Sequence, residues 1–178
     1  MTRAPAFSFH DQHPQPADFL HEAVAGLARQ PRSIPPKFFY DEIGSRLFDR
    51  ICAAPEYYPT RTEIGILRAN MHDIVARVGR DCLLIEPGGG NCAKVRELLS
   101  ALAPRLYMPV DISRQYLRQS AARLAAEYPW LEVRAACAAF TRGPCLPALP
   151  ADGRRVAFFP GSSVGNFEPE EARRFLAF

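Results

Sequence analysis

The chain has 178 residues, enough for one domain with a sizeable core and no need of a metal or disulfide staple. Apolar residues make up 48% and charged residues 23%, which excludes wholesale disorder and a coiled coil. The net charge is +3, and 22 basic residues are interleaved with 19 acids, so no basic face for nucleic acid is expected.

Residues 1–16 carry Pro and His and read as loose. From Ala17 to Gln30 the spacing predicts a helix with Phe19, Leu20, Val24 and Leu27 on one face, broken by Pro31, Pro35 and Pro36. Leu47, Phe48 and Ile51 mark a second helix that ends before Pro55. Thr60 followed by Glu63 reads as a capping box. It opens a single helix through Ile64, Leu67, Met71, Ile74, Val75 and Val78, closed by Gly79. Residues 1–80 are therefore expected to form a helical region.

From residue 81 the pattern alternates. Cys82–Ile85 is a strand ending in Glu86-Pro87-Gly88-Gly89-Gly90, and a helix with Val95, Leu98, Leu99 and Leu102 follows. Leu106–Val110 is a second strand ending at Asp111. Ser113 is placed to cap a helix bearing Leu117, Ala121, Leu124 and Tyr128. Leu131–Ala136 is a third strand, and after a Pro-rich loop Val156–Phe159 is a fourth. Pro169, Glu170 and Glu171 suit the first turn of a last helix. Alternating strands and helices predict βαβ units, a parallel sheet, and ligand chemistry at the carboxyl ends of its strands.

Five cysteines (52, 82, 92, 137 and 145) are odd in number and lack CxxC spacing, which argues against a disulfide framework or a zinc ribbon. They fit a reduced, cytoplasmic setting, with Cys52, Cys82 and Cys137 as small core residues. Three of the four histidines lie at 10, 13 and 21 and no HExxH occurs, so no metal site is expected. The opening segment lacks the apolar stretch of a secretory signal, and no run approaches the roughly 18 apolar residues of a membrane span.

The main chemical signal is the glycine turn after the first of these strands, with Asp111 ending the next. Such an acid, about 20 residues after the glycines, is placed to accept from ribose hydroxyls. Lys94 is not preceded by Gly or followed by Ser or Thr, so this is not a phosphate-binding P-loop. Glu86 would repel a pyrophosphate but suits a cationic ligand, such as the sulfonium and amino group of S-adenosyl-L-methionine. A loop-capping role for Glu86 is the plainer alternative.

The stretches PPKFFYDEIGSRLFDRI (35–51), PEYYPTRTE (55–63), LIEPGGG (84–90), MPVDIS (108–113), EYPWLEV (127–133) and FFPGSSVGNFEPEEA (158–172) carry a family resemblance. The chain resembles the L-histidine Nα-methyltransferases of ergothioneine biosynthesis. The resemblance implies an α/β, class I methyltransferase, Rossmann-like parallel sheet preceded by a helical region (1–80), with the sheet portion over 81–178. It implies S-adenosyl-L-methionine as cofactor and a small amino acid, L-histidine, as substrate, with neither nucleic acid nor membrane as partner. Glu86, Gly88, Gly90, Lys94, Asp111, Ala139, Phe140 and Gly161 would line the cofactor. Ala139 stands where the family usually has Asp to accept from the adenine amino group. Tyr58 and Asn166 would hold the substrate.

Bland roles stay open for several of these residues: a packing aromatic for Tyr58, a helix cap for Asn166, a solvated helix position for Lys94. Class I sheets have seven strands and only four are counted, so the chain is expected to be the N-terminal part of a longer design with impaired activity. A non-catalytic nucleoside-binding remnant and a nicotinamide-binding Rossmann domain are the rival readings. Oligomeric state is not legible.

Overall fold

The computed structural model describes residues 7–12, 18–138 and 146–177. Strand β1 (Phe7–Asp11) is followed by helix α1 (Phe19–Leu27), a 3-10 turn (Pro36–Phe39), and helices α2 (Glu42–Ala53), α3 (Pro59–Ala69) and α4 (Met71–Val78). The alternating part is β2 (Leu83–Pro87), α5 (Arg96–Leu102), β3 (Leu106–Asp111), α6 (Arg114–Glu127), β4 (Glu132–Cys137) and β5 (Arg155–Ala157). A 3-10 turn (Ser163–Asn166) and α7 (Pro169–Leu176) complete the described chain.

The sheet is parallel, with five strands in the order β1-β4-β3-β2-β5. The central strands β2 and β3 are largely apolar because both faces are covered, while β4 alternates Glu132 and Arg134 with buried Val133 and Ala135. On one face Leu84, Tyr107, Val133 and Ala135 pack against Val95 and Leu99 and against Leu117, Ala121 and Leu124 of α6. On the other, Leu83, Leu106, Met108 and Ala136 meet Leu146 and Leu149. From β2 the chain steps one way through β3 to β4, then returns to the far side of β2 as β5. The loops after β2 and β5 therefore leave from the point where strand order reverses, which is where parallel α/β sheets present ligands.

Several local expectations change. Residues 7–11 are not loose: they form β1, in register with β4 from Phe7 opposite Val133 to Asp11 opposite Cys137. The sheet thus has five strands where four were counted. In α1 the apolar residues Phe19, Leu20, Val24 and Leu27 are exposed, and Ala23 and Gly26 are buried instead. Gly26 lies so close to the Ser33 carbonyl that a Cβ there would stand 2.1 Å from its oxygen.

The helix expected from Thr60 to Val78 is two helices. They meet at Asn70 (φ −108, ψ 15), whose backbone N–H and side-chain amide both donate to the Ile66 carbonyl, at 3.1 and 2.8 Å. No capping box forms at Thr60. Pro59 takes the first helical position, Tyr58 precedes it without a side-chain cap, and Glu63 turns elsewhere. Ser113 does not cap α6 with its side chain. Its hydroxyl donates to the Tyr40 carbonyl at 2.7 Å and lies 3.1 Å from the Ser45 hydroxyl. The last helix starts at Pro169 as expected, with Glu168 and Glu171 closing a capping box. The Phe175 ring packs on Phe159 and Phe167, with centroids 5.0 and 5.4 Å away.

Candidate cofactor and substrate site

The glycine turn leaves β2 and is tied to β3 by the Gly88 N–H, which donates to the Val110 carbonyl at 2.8 Å. Gly90 lies directly against Asp111: a Cβ at Gly90 would stand 3.0 Å from an Asp111 carboxylate oxygen and 3.4 Å from the Tyr116 ring. Only glycine fits there without moving the carboxylate. Asp111 ends β3, and its Oδ1 accepts from the Ser113 N–H at 2.8 Å. Burial pushes its carboxyl above the usual aspartate range, against the hydrogen bonds it receives from Ser113, Ile112 and Gly90.

Beneath the turn lies Glu86, only 3% exposed. The Tyr107 hydroxyl donates to its Oε2 at 2.5 Å. Burial pushes the Glu86 carboxyl up to about 7. Tyr107 and Lys94 pull it back, while Asp111 and Glu63 push it further up. A cation placed nearby would restore the charged form, since an opposite charge favours ionisation. Cys92 is buried beside it, donates to the Gly89 carbonyl at 3.3 Å, and has its thiol pushed up to about 12 by burial.

The loop after β5 faces this turn. A Cβ on Gly88 would be 3.9 Å from the Ser163 hydroxyl. Gly161, with φ +84, approaches Lys94 so closely that a Cβ would stand 2.8 Å from its Nζ. Lys94 Nζ pairs with Glu63 Oε2 at 2.5 Å, and Glu63 Oε1 accepts from the Gly161 N–H at 2.7 Å.

The structure thus brings Glu86, Gly88, Gly90, Lys94, Asp111 and Gly161 to one edge of the sheet. Tyr58 is 67% exposed and Asn166 is exposed at the end of its 3-10 turn, as are Gly88 and Gly161, whereas Glu86 is buried. Ala139 and Phe140 lie outside the described residues. Their neighbour Ala138 is buried, with its N–H on the Asp111 carbonyl at 3.0 Å.

Sequence reasoning missed Asp49 of α2. It accepts from Asn91 of the glycine turn at 2.9 Å and from the Tyr116 hydroxyl of α6. Its place inside the 35–51 stretch was the available signal. Tyr107 and Glu63 carry no site signal in the sequence either, since the spacing of Glu63 from Thr60 fits a capping residue. Among the described residues, no group of three His, Cys, Asp or Glu could hold a metal. No described helix is long and apolar enough to cross a membrane.

A parallel sheet with a glycine turn at its switch point and an acid at the next strand end defines a Rossmann-like, small-ligand-binding α/β domain. Residues 19–178 match a family described as histidine-specific, SAM-dependent methyltransferase, and the chain belongs to that family. It is 44% identical over 170 residues to a histidine N-alpha-methyltransferase of Mycolicibacterium smegmatis, covering 90% of this chain and 52% of the relative. It is 40% identical over 159 residues to the protein of the same name from Mycobacterium tuberculosis, covering 87% and 49%. With ergothioneine biosynthesis protein 1 of Neurospora crassa it shares 32% identity over 152 residues, covering 82% of this chain and 17% of that protein. The chain spans about half the length of the mycobacterial relatives.

Proposed function

We propose that this protein methylates the α-amino group of L-histidine with S-adenosyl-L-methionine, a reaction of ergothioneine formation. The observation that carries the reading is the closure of Gly90 onto Asp111 at the strand-order reversal, a cradle that a Cβ would fill. The names of the mycobacterial and Neurospora relatives support the substrate and the pathway.

The residues present fit the cofactor. Asp111 offers a carboxylate with one oxygen fixed by Ser113, leaving acceptor capacity for ribose hydroxyls. Gly88 and Gly90 keep the turn low, so a ligand can approach the backbone. Lys94 offers an ammonium, and Glu86 a buried carboxyl whose charge a cationic ligand would stabilise. Tyr58 and Asn166 are the substrate-side residues of this reading, and Ala139 and Phe140 its further cofactor residues.

Bound S-adenosyl-L-methionine would supply a sulfonium methyl that passes to the amine nitrogen, leaving a thioether. The protein's share is positioning. The substrate ammonium must lose its proton before the transfer, and the freed amine nitrogen is itself the nucleophile, so no nucleophilic side chain is required. Alignment of amine and methyl can then provide most of the rate.

The test is calorimetric titration of the full chain with S-adenosylhomocysteine and, separately, with NAD. Mass spectrometry of histidine after incubation with S-adenosyl-L-methionine follows. Binding of S-adenosylhomocysteine and histidine carrying added methyl groups are expected. Binding of NAD alone, or unmodified histidine after incubation, would overturn the assignment.

A further inference from the structure

Glu63 has a use that its local sequence does not reveal. It lies early in α3, yet both its carboxylate oxygens leave the helix. One meets the Lys94 ammonium at 2.5 Å, and the other accepts from the Gly161 N–H at 2.7 Å. Three stretches of chain thus converge on one carboxylate: the helix after Tyr58, the segment after the glycine turn, and the loop that leads to Asn166.

The ammonium is held tightly in place. The Lys94 side chain is mostly buried, and Gly161 lies against its Nζ where a Cβ would clash. A lysine has several rotatable bonds and three donors. Glu63 occupies one donor, which leaves others to meet a ligand. Fixing a flexible cation before the ligand arrives removes an ordering cost from binding.

We propose that Glu63 is a positioning residue, which fixes the Lys94 ammonium beside the Gly161 turn so that it is pre-set for the cofactor. This rests on the reading above, in which Lys94 and Gly161 line the cofactor site. Glu63 acts through Lys94 and does not itself touch the ligand. Its effect must therefore vanish when the ammonium is absent.

The experiment is a double-mutant cycle on the full chain, with S-adenosylhomocysteine binding followed by calorimetry. The proteins are wild type, Glu63→Gln, Lys94→Met and the double variant. Glu63→Gln keeps an acceptor for the Gly161 N–H but withdraws the charge from Lys94. It is expected to weaken binding about tenfold in the Lys94 protein and less than about twofold in the Lys94→Met background. An equal loss in both backgrounds marks a general structural role and overturns the proposal, as does no loss in either. Wild type that does not bind S-adenosylhomocysteine overturns the site reading and this proposal with it. Wild type that binds, with losses independent of background, overturns only the role of Glu63. Glu63→Asp keeps the charge but is one methylene too short for both partners. Run through the same cycle, it keeps the test decisive if the Gln variant does not fold. It is expected to give an intermediate loss only where Lys94 is present, and a background-independent loss overturns the proposal there too.

Discussion

Glu86 makes the free protein sensitive to pH in a predictable direction. Its carboxyl is pushed from 4.5 up to about 7, chiefly by burial. In the unfolded chain it ionises near 4.5, while in the fold it keeps its proton to about 7. Between those values the unfolded state binds fewer protons, so stability falls as pH rises through this window. Below 4.5 the penalty is absent, and above 7 it is complete. The separation corresponds to about 3 kcal/mol at full development. Solvent screening does not reduce it, because Glu86 is only 3% exposed. Glu86→Gln keeps the shape and an oxygen for the Tyr107 hydroxyl while removing the titration. The variant is therefore expected to gain stability over wild type as pH rises, by about 3 kcal/mol at pH 8 and by nothing near pH 4.5. Urea unfolding of both proteins at half-unit steps from pH 4.5 to 8 measures this difference, in which the carboxylates not coupled to Glu86 cancel. Parallel stability curves for the two proteins would refute the reasoning.

Asp111→Ala is expected to weaken S-adenosylhomocysteine binding by about 1–3 kcal/mol, the range for losing a charged hydrogen-bond partner, as read by calorimetry. Gly90→Ala places a Cβ 3.0 Å from the Asp111 carboxylate, so binding should fall at least tenfold in the same titration while the far-ultraviolet circular dichroism is retained. Asp49→Ala leaves Asn91 and the Tyr116 hydroxyl without their shared acceptor and should cost about 1–3 kcal/mol in denaturant unfolding. Leu124→Ala opens a cavity under the sheet at a fully buried position, and a loss of about 2–5 kcal/mol in the same assay is expected.

Local chemistry alone determined the alternating half of this protein. Apolar runs bounded by Gly and Pro placed β2, β3 and β4 to within a residue or two, because a strand buried on both faces carries its environment in its own composition. The glycine turn and Asp111 were legible for the same reason: each sits where a strand must end. The tertiary structure decided what depends on distant partners. Phe7–Asp11 lacks a strong strand signal and becomes β1 only because β4 offers an open edge to pair with. The exposed apolar residues of α1 show that periodicity identifies a face without identifying what covers it. The break between α3 and α4 at Asn70 leaves no mark in the hydrophobic pattern, which runs on from Ile64 to Val78. Glu63 shows the limit most clearly. Its spacing from Thr60 fits a local cap, yet its carboxylate is taken by Lys94 and by the N–H of Gly161, 98 residues away. An ammonium and a backbone donor brought together by the fold outcompete a neighbouring N–H at the helix start. That competition is settled only when the loops after β2 and β5 meet across the sheet edge.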